Sequence, residues 1–196
     1  MTESKYPMIS VEDALNSVLA HTRVLAPVRV SLNGALGLAL AEDVYASENM
    51  PPFAAAGVDG FAIIAADGAQ PRKLLGEQLA GSVTGLRVER GAAVRITTGA
   101  PVPPGADSVV MVEVTEEREG LVMIHQATNA GEGIRPIGQD IMQGERVLTR
   151  GARIGPAELG LLATIGKAEV LAHPRPRVAV FSTGDELVEV GAALGP

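Results

Sequence analysis

The sequence predicts an α+β, multi-domain fold, and three observations carry that prediction. The longer helical patterns are two, residues 10–21 and the region after Ile154. From Phe53 to about Gln139 the pattern is instead short apolar runs between turn signals, which predicts a compact β-rich, barrel-like or sandwich module. A continuous apolar run, Arg177–Phe181, predicts a strand buried on both faces, as in a parallel α/β sheet.

Composition sets the bounds. The 196 residues suffice for one large domain or two small ones. Hydrophobic residues make up 46% but aromatics only 3%, with no Trp, so the core must be built from Val, Leu, Ile and Ala. A net charge of −7 with no basic cluster argues against nucleic-acid binding. The lack of cysteine excludes disulfides, thiolate zinc sites and cysteine nucleophiles. His21, His125 and His173 lack metal-ligand spacing. The polar start, Met1 to Lys5, has no signal-peptide core. No apolar run approaches the roughly 18 residues of a membrane span. A cytoplasmic protein without a membrane partner is therefore expected.

In chain order, Ser10 is placed as an N-cap with Asp13 three residues on, and Val11, Ala14, Leu15, Val18 and Leu19 share a helical face. Val28, Val30 and Leu32 alternate as a short strand, Asn33-Gly34 turns the chain, and Leu36–Ala41 is expected as a short helix. Composition shifts at Met50-Pro51-Pro52. The β runs that follow are Phe61–Ile64, Lys73–Leu75, Ala93–Thr97, Ser108–Val114 and Leu121–Ile124, with Glu116–Gly120 as a polar hairpin turn. Helix returns at Ile154, with Pro156 in its first turn, Leu159, Leu162 and Ala163 on one face, and Gly166 as the C′ residue. A strand at Ala168–Ala172, a linker at His173–Pro176 and the Arg177–Phe181 strand complete the pattern. Only ten residues follow Glu186, so the chain is expected to stop just inside a further α/β domain.

Four segments are candidates for chemistry. Val58-Asp59-Gly60-Phe61 is either a turn that starts a strand or a carboxylate at the lip of a cleft. Thr97-Thr98-Gly99 opens the proline-locked loop Ala100–Gly105 and is either strand end or a set of hydroxyl and backbone donors for an anion. Gly131–Asp140 carries Arg135 and Asp140; it lacks the Gly-Lys-Ser/Thr ending of a P-loop, but Arg135 suits a phosphate. Ser182-Thr183-Gly184-Asp185-Glu186 follows the carboxyl end of the apolar run, where ligands of open α/β sheets collect. Asp107, Glu113, Glu12, Asp13, Glu42 and Asp43 read as solvated surface.

These segments together resemble the molybdopterin molybdenumtransferase family, of the MoeA and gephyrin E-domain type. The matching pieces, in family order and spacing, are Leu38–Val44, Pro51-Pro52-Phe53 with Val58–Ala62, Thr98–Asp107 with Val109–Met111, Ile134-Arg135-Pro136 with Gly138–Ile141, and Arg175–Ala179 with Ser182–Leu187. One departure stands out: Ala54-Ala55-Ala56-Gly57 occupies the place where many bacterial members carry Asp-Asn-Ser.

The resemblance implies a helix/strand domain I in two pieces (7–46 and 141–174), an inserted β-rich domain II (47–140) and the start of a molybdopterin-binding α/β domain III (175–196). It implies insertion of molybdenum from molybdate into adenylylated molybdopterin, with Mg2+ and release of AMP, by a homodimer with the molybdopterin-adenylylating enzyme as a partner. By the same resemblance Asp59, Thr98, Asp140 and Glu186 are tied to activity. Thr98, Gly99, Arg135 and Asp185 bind the cofactor substrate, and Glu186 and Asp185 hold the metal. A chain ending at Pro196 is then expected to be an incomplete, inactive part of the enzyme. The rival expectation is a non-catalytic dimerisation or scaffold module.

Overall fold

The computed structural model describes residues 8–184, 186–193 and 195. Helix α1 (Val11–His21) starts where Ser10 predicts, the Asp13 N–H donating to Ser10 Oγ at 3.0 Å. Strand β1 (Val28–Ser31) passes into a 3-10 turn at Leu32–Gly34, then to β2 (Ala39–Leu40) and β3 (Val44–Tyr45). The helix expected at Leu36–Ala41 does not form. Gly37 sits at φ +80°, outside helical space, and sends the chain extended into β2.

The middle of the chain holds β4 (Ala55–Ala56), β5 (Gly60–Ile63), β6 (Arg72–Gln78), β7 (Ala92–Ile96), β8 (Ser108–Met111), β9 (Thr115–Arg118), β10 (Leu121–Ile124) and β11 (Ile134–Arg135). Six of these form one mixed sheet in the order β8-β5-β7-β6-β10-β9, with β6 and β7 parallel. The sheet has to curl. In a flat sheet five inter-strand spacings would separate β8 from β9 by about 24 Å. The chain runs from Met111 to Thr115 through a single 3-10 turn, Val112–Val114, a reach of at most about 14 Å. The curl leaves an open half-barrel, with β8 and β9 as edges, rather than a closed barrel.

Both faces of this sheet are covered, which accounts for its apolar runs. Phe61, Ile63, Ala93, Val110 and Val122 pack on one side, and Ala62, Val94, Ile96 and Val109 on the other. Two turn assignments need correction. The Ser108–Val114 run is strand only to Met111. The polar stretch Glu116–Gly120 is mostly strand β9, and the turn is Glu119-Gly120 alone, with φ values of +51° and +77° that suit a two-residue hairpin.

The chain then returns to the first unit through β12 (Arg146–Leu148), α2 (Pro156–Thr164) and β13 (Glu169–His173). Strand β13 lies between β1 and β2, and β12 pairs with β3. Helix α2 ends as the sequence predicts. Gly166 stands at φ +74°, its N–H donates to the Ala163 carbonyl and the Lys167 N–H to the Leu162 carbonyl, a Schellman ending. Leu162 is fully buried against a core that includes Leu40, Val44, Ile154 and Val170. Two acids read as solvated instead tie this unit together. Glu42 accepts the Leu171 N–H at 2.8 Å, and Asp43 accepts the Arg150 N–H at 2.7 Å. That bond first, and Arg146 beside it, hold the Asp43 carboxyl below its usual range.

The chain crosses between the two units twice, and the crossings are zipped together. Met50 N–H donates to the Ile141 carbonyl at 2.8 Å, Gly138 N–H to the Pro51 carbonyl at 2.9 Å, and Gln143 N–H to Asn49 Oδ1 at 2.8 Å. The strand expected at Arg177–Phe181 is not present. No neighbour among the described residues pairs with this run, and Val178, Val180 and Phe181 are exposed. An extended run needs a partner ladder for its backbone groups before it becomes a strand.

Leu162→Ala should lower the stability of the first unit by about 2–5 kcal/mol, because α2 cannot collapse into the space it leaves. Urea unfolding should show a lower midpoint with an unchanged slope.

Candidate functional site

The site is organised by a segment with no strand signature, Ala54-Ala55-Ala56-Gly57. On one edge it bonds to the proline-locked loop: Gly99 N–H donates to the Ala56 carbonyl at 2.8 Å, Ala56 N–H to the Ala100 carbonyl at 2.9 Å, and Val102 N–H to the Ala54 carbonyl at 2.9 Å. On the other edge β4 pairs with β11, Ala55 opposite Arg135 and Ala56 opposite Ile134. Gly57 N–H continues the ladder to the Gly133 carbonyl at 2.8 Å. The methyl groups of Ala55 and Ala56 are buried, so small side chains let three backbone segments close up.

This arrangement brings the first two candidates together. Asp59 follows β4, and its Oδ1 accepts both the Thr98 N–H at 2.6 Å and the Thr98 hydroxyl at 2.8 Å. Gly60 cannot carry a side chain, since a Cβ there would lie 1.9 Å from the Val110 carbonyl oxygen. The chain is thus pressed onto β8 immediately after Asp59, while Asp59 and Thr98 remain exposed. The Thr98 backbone bond first, then its hydroxyl, with Arg95 adding charge, hold the Asp59 carboxyl below the usual aspartate range. Asp59 is therefore an anion at neutral pH, with one oxygen engaged and Oδ2 outside that pair of bonds.

Arg135 and Asp140 form the second pair, an ion pair through Arg135 Nη2 and Asp140 Oδ2. Asp140 N–H also donates to the Met50 carbonyl at 2.9 Å, which fixes it at the crossing between the two units. A Cβ placed on Gly57 would stand 3.5 Å from Arg135 Cγ, so the arginine stem runs beside the same segment that delivers Asp59. A guanidinium has five N–H donors, and one carboxylate contact leaves others for a second anion.

The backbone donors expected beside Gly99 are not free. Gly99 N–H goes to Ala56, Thr98 N–H to Asp59, and Ala100 N–H to the Thr97 carbonyl at 3.0 Å. The loop spends its amides on its own placement. Glu186 is exposed, its carboxylate folded against Gly184, and no hydrogen bond joins it to Asp59, Thr98 or Arg135 among the described residues. Asp185 lies outside the described residues. Among those described, no three carboxylate or histidine side chains gather as a metal site. Asp59 engages Thr98 and Asp140 engages Arg135, so these side chains alone do not make a magnesium site.

Two acids and a cleft near the site were not foreseen. Asp107, read as solvated, accepts the Ala65 N–H at 2.7 Å and pins the chain after β5. Glu132 accepts the Asn129 N–H at 2.9 Å and the Thr128 hydroxyl at 3.2 Å, the first bond contributing most to a carboxyl held below its usual range. Beside it a cleft of about 210 Å³ is lined by Val58, Val109, Met111, Thr128, Glu132 and Gly133. Only the acid-plus-turn composition of Thr128–Glu132 could have signalled this loop.

The sequence model of the MoeA N-terminal region (domain I and II) matches residues 9–166, most of the chain and every element of both units except the last strand. The chain belongs to the MoeA family. A Mycobacterium tuberculosis protein named molybdopterin molybdenumtransferase 2 is 40% identical, over 93% of this chain and 48% of that protein. Gephyrin of Dictyostelium discoideum is 38% identical, over 95% of this chain and 28% of gephyrin. A crystal structure of the molybdopterin biosynthesis MoeA protein of Pyrococcus horikoshii superposes with a TM-score of 0.80 at 29% identity, covering 87% of this chain and 47% of that one. The chain thus spans about half the length of the molybdenumtransferases it matches.

Two outcomes follow from the geometry. Asp59 should titrate below an ordinary aspartate in carboxyl NMR, and Thr98→Val should raise its value only part-way, because the backbone donor remains. The sign for stability is that of a depressed acid. The Asp59 contribution is present above its unfolded value near 3.9 and fades as pH falls through the lower folded value. Gly133→Ala should cost about 2 kcal/mol or more in thermal unfolding. Gly133 sits at φ +70°, and a Cβ would meet the Val109 carbonyl oxygen at 2.1 Å.

Proposed function

We propose that this chain is part of an enzyme of molybdenum cofactor biosynthesis, one that inserts molybdenum from molybdate into adenylylated molybdopterin and releases AMP. The observation that carries the reading is that one backbone segment of the family-matched region, Ala54–Gly57, joins the Asp59–Thr98 pair to Arg135 and Asp140. Both substrates are anions. In this reading Arg135 takes a phosphate oxygen through the donors that Asp140 leaves, and Asp140 sets the guanidinium plane. Asp59 is ionised and can accept a proton or orient a ligand's donor through Oδ2, while Thr98 fixes its rotamer. Glu186 and Asp185 belong to a part of the site completed elsewhere. Magnesium has no complete ligand set among the described residues.

The molybdenumtransferase relatives are about twice as long as this chain, and on this reading transfer needs parts that the chain does not span. The 7–46 plus 141–174, 47–140 and 175–196 division is the domain plan proposed with it. A cytoplasmic location and the molybdopterin-adenylylating enzyme as partner belong to the same proposal. In the described residues no helix is long and apolar enough to cross a membrane.

One observation favours a second role beside it. Helix α1 buries none of its residues, and Val11, Leu15, Val18 and Leu19 stand exposed along its apolar face. Such a face fits dimerisation through the first unit, the scaffold reading.

The test is molybdate-dependent AMP release from adenylylated molybdopterin by the 196-residue chain and by any longer product of the same gene. Release by the longer product, reduced about a hundredfold or more by Asp59→Asn with the dimer intact, is expected. Unchanged release in Asp59→Asn would remove the chemical role and leave the scaffold.

A further inference from the structure

We infer that Gln78 is a positioning residue for the Asp59–Thr98 pair, acting through a latch on Thr97; the inference rests on the reading of that pair as part of the reaction site. Gln78 is the last residue of β6 and only 3% exposed. A buried side-chain amide must find partners, and this one finds all of them in the loop that follows. Its Oε1 accepts the Thr84 N–H at 3.0 Å and the Thr84 hydroxyl at 2.7 Å, and its Nε2 donates to the Ser82 carbonyl. The amide thus folds residues 79–84 around itself.

The folded loop reaches back to the motif. Ala80 N–H donates to Thr97 Oγ1 at 3.0 Å, and Thr97 N–H donates to the Gln78 carbonyl at 3.3 Å. Thr97 is held at two points by Gln78 and its loop. Further along the same crossover, Val88 is buried and its N–H donates to the Pro104 carbonyl at 2.9 Å. Gly105 makes that approach possible, since a Cβ there would lie 2.1 Å from the Val88 carbonyl oxygen. The proline-locked loop is therefore clamped at its start and near its end by one crossover, and Thr98 lies just past the first clamp.

Position matters at Thr98 because two of its donors meet one oxygen of Asp59. Such a two-point contact weakens steeply when the donor tilts or moves away. A residue that only closed its own loop would need no link to Thr97. In that link the Thr97 hydroxyl oxygen is the acceptor, which leaves its O–H as a donor.

The test uses the 196-residue chain and NMR. In Gln78→Ala the Asp59 carboxyl should titrate higher, toward an ordinary aspartate. The Thr98 amide should exchange about tenfold faster, the change expected for loss of one net hydrogen bond. The amides of Phe61 and Val94 within the sheet should stay protected. The amide readout separates the latch from Arg95, whose charge also acts on Asp59. Thr97→Val keeps the size and removes the acceptor, so it should give the same two changes and decides the matter if Gln78→Ala does not fold. An unchanged Asp59 titration and Thr98 exchange in a folded variant overturns the inference. A shifted Asp59 with unchanged AMP release by the longer gene product overturns instead the reading of the site on which it rests.

Discussion

The rest of the structure depends on backbone pairing along both edges of Ala54–Gly57. Without it the proline-locked loop and the Gly133–Arg135 stretch would have no common reference, and Asp59 would leave β4 in no fixed direction. The pairing works because its side chains are methyl groups or absent. A larger residue at Gly57 would press the Gly133 carbonyl, 3.3 Å from where its Cβ would begin. The segment has no polar side chain, so the backbone makes these connections by itself.

That division of labour explains the electrostatics. Amides near Thr98 and Gly99 look like ready anion donors, yet they are consumed in fixing the loop. Outside those bonds stand Asp59 Oδ2 and the Arg135 donors that Asp140 does not take. The Thr98 loop and the Arg135 strand lie on opposite edges of that segment.

How much was legible follows the same line. The Ser10 cap, the Pro156 start and the Gly166 ending were readable because each rests on contacts within a few residues. The strands β5, β7, β8 and β10 were readable from apolar runs, because the sheet is buried on both faces. Strands β4 and β11 were not, since Ala-Ala and a mixed Ile-Arg pair have no period and exist only through one another. The helix placed at Leu36–Ala41 failed on one glycine with positive φ, and the strand at Arg177–Phe181 failed for want of a neighbour. Asp59, Thr98, Arg135 and Asp140 were candidates from their motifs, and the resemblance added the tie to activity. Their pairing as Asp59 with Thr98 and Arg135 with Asp140 came only from the structure. Gln78 carried no signal, since an isolated glutamine at a strand end reads as surface.

The zipped crossings have a consequence of another kind. Met50 and Ile141 face each other as an antiparallel bridge, so the β unit leaves and re-enters its host at adjacent points. Its ends are joined like those of a loop, and the host sheet closes through β1, β2 and β13 without any strand from it. In geometric terms the unit is an insert. The host sheet asks of such an insert only that its two ends lie a hydrogen bond apart.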